Sequence, residues 1–227
     1  ADIDGAEKFY INFLDNTPYS ETAWFNLAGV YCRKEKWDLA VEAYDFAIAI
    51  NPVFGSAYFN KANALASNQK YDEAIAVYKE TYEHESPTFI TFCYIGECYE
   101  RSNRYEKALD YYERAIKDKN DHGDAWLGKA ITLDALGRVL DSYKAIQRAL
   151  EFGGDEPDYW YTSSEIEEKL GYIDDSINSM KNATVLDESD SSLRLDFLLL
   201  IERHLNVDVI KNAIDDALIS FPNNTKI

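Results

Sequence analysis

A chain of 227 residues, 46% of them hydrophobic, holds enough apolar side chain to bury a substantial core, which argues against a disordered polypeptide. Its 41 acidic residues against 23 basic ones give a formal charge of -18, a mean field that repels phosphates and anionic headgroups, so nucleic-acid binding and a polybasic membrane anchor are excluded as leading functions. No apolar run approaches the roughly 20 residues that a membrane-spanning helix needs, so membrane insertion is not expected.

The three cysteines, Cys32, Cys93 and Cys98, are odd in number and too sparse for a disulfide framework. Cys93 and Cys98 stand five apart in a predicted helix, on different faces, so reduced thiols are expected and a cytoplasmic setting is favoured. The chain opens at Ala1 with neither a charged leader nor an apolar leader core, so any leader has been removed or was never present.

In chain order, residues 1–20 read as half a repeat: a helix over 2–14 with Ala6, Tyr10 and Phe13 on one side, closed by Pro18. Its Ile11 is apolar where later helices carry Asp45, Lys79, Glu113, Gln147, Lys181 and Asp215, which leads to the expectation of a further helix upstream in a longer protein. From Glu21 onward the same residue types return at an offset of 34. The fourth position reads Trp24, Tyr58, Phe92, Trp126 and Trp160, lapsing at Arg194; the eighth reads Ala28, Ala62, Gly96, Ala130, Ser164 and Leu198. In the second half of each unit the twentieth position reads Ala40, Ala74, Ala108, Ser142, Ser176 and Ile210, the twenty-fourth Tyr44, Tyr78, Tyr112, Ile146, Met180 and Ile214, and the twenty-seventh Ala47, Thr81, Ala115, Ala149, Ala183 and Ala217.

Small residues at these positions let helix A of a unit approach its own helix B and the next helix A, while the aromatics fill the wider gaps. Pro18, Pro52 and Pro222 share one phase, Pro87 falls one residue late, and Gly137 and Gly171 mark the break inside a unit, where a left-handed helix cap suits glycine. The expected divisions are the half repeat 1–20, five units at 21–54, 55–88, 89–122, 123–156 and 157–190, and a degenerate sixth unit with a C-terminal cap at 191–227. The last helix, predicted over 207–220, sets Val207, Ile210, Ile214, Ala217 and Phe221 against Asp208, Lys211, Asp215 and Asp216.

Trp24, Leu27, Ala28, Tyr31, Ala40, Tyr44, Ala47 and Pro52 together resemble the signature of the tetratricopeptide repeat. The resemblance implies an all-α, right-handed superhelical solenoid of helix-turn-helix repeats, with a concave groove lined by the A helices. It places position 5 of each unit on that groove: Phe25, Phe59, Cys93, Leu127, Tyr161 and Leu195, beside Asn60, Asn63, Glu97 and Glu165. Glu100, Asp134, Glu168 and Glu202 add further carboxylates, so the implied ligand is a protein or peptide segment with apolar anchors and some basic residues. Glu97 with Arg101 and Glu165 with Lys169 stand at the i,i+4 spacing of ion pairs within one helix. Two ligand classes of the family are disfavoured. Phe25, Gly29 and Tyr94 replace the basic and Asn residues of the clamp for chaperone C-terminal carboxylates, and after Asn26 and Asn60 the Asn ladder of sugar-transferring enzymes gives way to Tyr94, Gly128, Thr162 and Asp196.

Catalysis finds no local support. GDAWLGKA at 123–130 approaches a phosphate-binding loop but fails at Ala130, and its Trp126 already serves the repeat. DKNDHG at 118–123 imitates a calcium loop, yet His122 and Lys129 stand where oxygen ligands belong. His84, His122 and His204 lack metal-ligand spacing and are expected at the surface. Neither cofactor nor metal is expected, and Cys93 reads as a structural or mildly exposed thiol. The sequence thus describes a non-catalytic interaction scaffold; the alternative is a recruiting module of a larger enzyme or signalling protein, and a third reading is a homodimer through the N-terminal edge.

Overall fold

The computed structural model describes residues 2–83 and 86–204. The terminal helix expected over 207–220, with Pro222 and His84, lies outside the described residues. Two compact units part between Asn120 and Asp121. The first holds α1 (Ile3–Asn16), α2 (Glu21–Arg33), α3 (Trp37–Ile50), α4 (Gly55–Ser67), α5 (Tyr71–Glu80), α6 (Phe89–Arg101) and α7 (Tyr105–Asp118). The second holds α8 (Gly123–Ala135), α9 (Val139–Gly153), α10 (Pro157–Leu170), α11 (Ile173–Leu186) and α12 (Ser191–His204).

The helices pair as α2 with α3, α4 with α5, α6 with α7, α8 with α9 and α10 with α11, the stacked helix-turn-helix order of a tetratricopeptide solenoid. The small residues act as expected: Ala28, Ala40, Ala47, Ala62, Ala74, Ala108, Ala115, Ala130, Ala149 and Ala183 are fully buried where helices cross. Adjacent A helices, by contrast, are not the close backbone neighbours the sequence led one to expect. Within each compact unit an A helix packs between its own B helix and the preceding one, as α4 does between α5 and α3 and α10 does between α11 and α9. Longer side chains bridge A to A, as where the Phe59 ring meets Tyr94 edge-on at 5.3 Å.

One turn joins A to B throughout. Glu35, Gln69, Asn103, Gly137 and Gly171 take φ between 56° and 78°, all at the same phase of the repeat. The amide of the following residue then donates back to the helix: Lys36 to Tyr31 O, Lys70 to Leu65 O, Arg104 to Tyr99 O, Arg138 to Leu133 O and Tyr172 to Glu167 O, at 2.8 to 2.9 Å. This is the Schellman closure, and it satisfies a carbonyl that the helix end would otherwise orphan. Other caps are local: Ser20 Oγ accepts from Ala23 N–H at 3.3 Å, and Pro157 opens α10 where its missing N–H costs nothing.

Helix α5 is the departure, ending after 10 residues in a 3-10 turn over Thr81–Glu83. Thr81 stands where other units have alanine, and its hydroxyl donates to the Tyr78 carbonyl at 2.6 Å, a local bond that competes with continued α-helix. In α10 and α11 serine replaces alanine at two crossing positions, and the serines reciprocate: Ser164 Oγ donates to Ser176 O at 2.8 Å and Ser176 Oγ to Ser164 O at 2.9 Å.

Candidate peptide-binding face

Of the expected groove residues, Phe25, Phe59, Asn60, Asn63, Cys93 and Glu97 lie in the first unit, on α2, α4 and α6. Phe25 is half-buried, meeting Tyr44 at 5.6 Å and Phe54 at 5.0 Å, so its ring is part of the packing between successive helices. Phe59 is held in the same way between Tyr78, at 5.7 Å, and Tyr94. Asn60 and Cys93 are half-buried, and the Tyr78 hydroxyl donates to Asn63 Oδ1.

Asn63 and Glu97 come together in a cleft of about 240 Å³, walled by Tyr71, Tyr78, Tyr94 and Arg101. Glu97 pairs with Arg101 at 2.7 Å, as the spacing predicts. Tyr94 is the residue that sequence reasoning missed. Read only as a lost asparagine, it stacks on Tyr78 with ring centres 5.8 Å apart and keeps 37% of its surface exposed. Cys98 at the base is buried, and burial pushes its thiol up to about 12, well away from nucleophilic behaviour.

In the second unit Leu127 is half-buried on α8, and Leu195 on α12 is 56% exposed. Tyr161 and Glu165 line a smaller cleft of about 130 Å³ with Glu168, Asp196, Leu199 and Arg203; neither Leu127 nor Leu195 is among its walls. Lys169 does not pair with Glu165 as the spacing would have it but reaches Asp134 on α8 at 2.5 Å. Burial, with Asp134 and Asp196 near, raises the Glu165 carboxyl above its ordinary range, although Lys169 and the Tyr161 hydroxyl pull the other way. Burial would also raise Glu168, but hydrogen bonds from His204 and Arg203 outweigh it and hold that carboxyl below its usual value. His204 Nε2 lies 2.6 Å from Glu168, so this exposed histidine has a carboxylate partner that sequence spacing could not show.

Of the motif decoys, GDAWLGKA opens helix α8, and Asp118 of DKNDHG accepts the Phe89 amide at 2.7 Å. Among the described residues no group of three His, Cys, Asp or Glu side chains could hold a metal ion, and no helix is long and apolar enough to cross a membrane.

Helix pairs of this geometry, repeating every 34 residues, define a helical-repeat protein. Tetratricopeptide repeat family models match residues 23–52, 53–121 and 87–155, and the chain belongs to the tetratricopeptide repeat family. A search of curated proteins returns no match. Among solved structures, the chain is similar to PilW, a widely conserved type IV pilus biogenesis factor, with TM-score 0.73 and 18% identity over 86% of this chain and 90% of that one. It is similar to YrrB, described as a TPR protein with an unusual peptide-binding site, with TM-score 0.59 and 16% identity over 82% and 96%. It is also similar to a chain of the APC/C hetero-tetramer Cut9-Hcn1, with TM-score 0.74 and 15% identity; the match covers 99% of this chain and 44% of that one. At such identities the likeness is one of fold.

Proposed function

We propose that this chain is a non-catalytic scaffold that holds a peptide or protein segment against the face presented by its A helices. The observation that carries this reading is the cleft of the first unit, where Tyr94, Asn63, Glu97 and Arg101 converge from successive A helices around partly exposed aromatic surface. Such a surface suits an apolar anchor flanked by polar contacts, and in the second unit Glu165 with Asp196 suits a basic residue of a ligand. The peptide-binding description of YrrB supports the reading by analogy of fold. The 34-residue divisions starting at Glu21 are the working units we assign, and the sparse cysteines support a reducing, cytoplasmic setting.

Panning displayed random peptides on the protein tests the proposal. A folded Tyr94→Glu, Tyr161→Glu variant is expected to lose the selected peptides by about tenfold or more, near 1.4 kcal/mol. Equal binding to the variant contradicts it.

Self-association through α1 is a second contact we propose, because Phe9 and Phe13 are 61% and 42% exposed there and stack at 6.3 Å. The occupant is a second copy, since Asp4 and Glu7, two of the four acids at this end, are engaged by Lys34 and Lys36, leaving Asp2 and Asp15 to oppose it. Sedimentation across a concentration series is expected to show a dimer that Phe9→Glu abolishes; a monomer at every concentration refutes it.

A further inference from the structure

On a chain of net charge -18, one surface of the first unit runs against the mean. Three cations approach the ring of Tyr99: Arg104 at 4.8 Å, Lys107 at 5.5 Å and Lys79 at 5.9 Å. The Tyr111 ring, 5.4 Å from that of Tyr99, carries Arg114 at 4.8 Å and shares Lys79 at 5.7 Å. Both tyrosines are buried at the junction of α6 and α7, so the rings are fixed platforms.

The first unit contains a simpler version of this contact. Lys36 lies over Tyr31 at 5.7 Å, at the phase of the repeat that Arg104 and Tyr99 occupy, and there Glu7 meets the lysine at 3.0 Å. At Tyr99 the balance differs. Asp72 engages Arg104 at 2.5 Å and Asp110 engages Arg114 at 2.8 Å, but among the residues whose side chains are described no carboxylate lies within ion-pair distance of Lys79 or Lys107. One nitrogen of Arg104, Nη2, is buried without a hydrogen-bond partner as well. Three cations thus crowd one aromatic ring with two ammonium groups left to attract an anion.

We propose that this Tyr99-centred cluster is a second docking surface, separate from the peptide-binding residues, and that its ligand is a short acidic peptide segment of a partner protein. Charge complementarity selects the segment, and its length follows from screening. At physiological ionic strength fields extend about 8 Å, so a few adjacent carboxylates feel the cluster. A long polyanion such as a nucleic acid would run onto the acidic remainder of the surface.

Fluorescence anisotropy of a short labelled oligoglutamate peptide, titrated with the full chain, tests this. The wild-type protein is expected to bind saturably, with affinity that falls as salt rises. Lys79→Gln with Lys107→Gln, both exposed positions, is expected to weaken binding by about tenfold or more, whereas Tyr94→Glu leaves it unchanged. Absence of saturable binding, equal binding by the lysine variant, or tighter binding of inorganic phosphate or a single-stranded oligonucleotide would overturn the proposal.

Discussion

Glu167 occupies a position that Leu65, Leu133 and Tyr99 fill in other units, all of them buried. The residue is 6% exposed: Ser163 Oγ donates to its Oε1 at 3.1 Å, and Oε2 is buried with no partner. Burial raises its pKa above the ordinary value of 4.5, against the nearby Ser179 and Ser163 hydroxyls, which lower it. A raised carboxyl pKa means that the folded state holds the proton more tightly than the unfolded chain. The associated stability is present below the ordinary value and lost as pH rises through the raised one. Glu167→Gln is therefore expected to stabilise the fold at pH 7, by roughly 1 kcal/mol, with a smaller gain near pH 4. Urea unfolding of both proteins at the two pH values measures it, and a gain independent of pH would mean that ionisation is not the cause. The sequence shows a Glu out of place in an apolar series, but its burial depends on α11 packing against α10, which linear spacing does not reveal.

At the scale of elements, the turn from A to B was legible only where glycine or asparagine marks it. Gly137 and Gly171 announce the left-handed residue and Asn103 tolerates it, whereas Glu35 and Gln69 adopt the same conformation without a local signal. The Schellman bond and the packing of both helices impose it there, against a preference of about 1–2 kcal/mol for an L-residue other than Asn. Gln69→Gly is accordingly expected to stabilise the chain by up to about 1 kcal/mol, and Gly171→Ala to destabilise it by a similar amount. At Gly171 an added Cβ meets nothing within 4 Å, so the loss would be purely conformational. Thermal melts of the two variants decide this, and a Gly171→Ala protein as stable as the wild type would show that the turn is not strained. Helix pairing itself was readable because alanine at fixed intervals is a steric requirement. The early end of α5 was less so, since Thr81 is a small residue in the right place whose hydroxyl finds its own carbonyl.

For the whole molecule, the family and the stacking order follow from a strict 34-residue period, while the chemistry of the surface does not. Phe25 and Phe59 read as groove residues in the sequence, yet each spends much of its ring on neighbouring aromatics. Tyr94 and Arg101 entered the sequence argument only as a missing asparagine and as a partner for Glu97, although both wall the first cleft. Contacts between successive helices decide which side chains remain available, and composition cannot rank them.

The measurement closest to the central claim is photo-crosslinking with a benzophenone amino acid at position 94, on the proposed binding face, and separately at position 140, where Leu140 is 61% exposed outside it. With a peptide selected on the protein, position 94 is expected to form the cross-link and position 140 to form none. Cross-linking from position 140 alone would place the ligand elsewhere and contradict the assignment of function to the A-helix face.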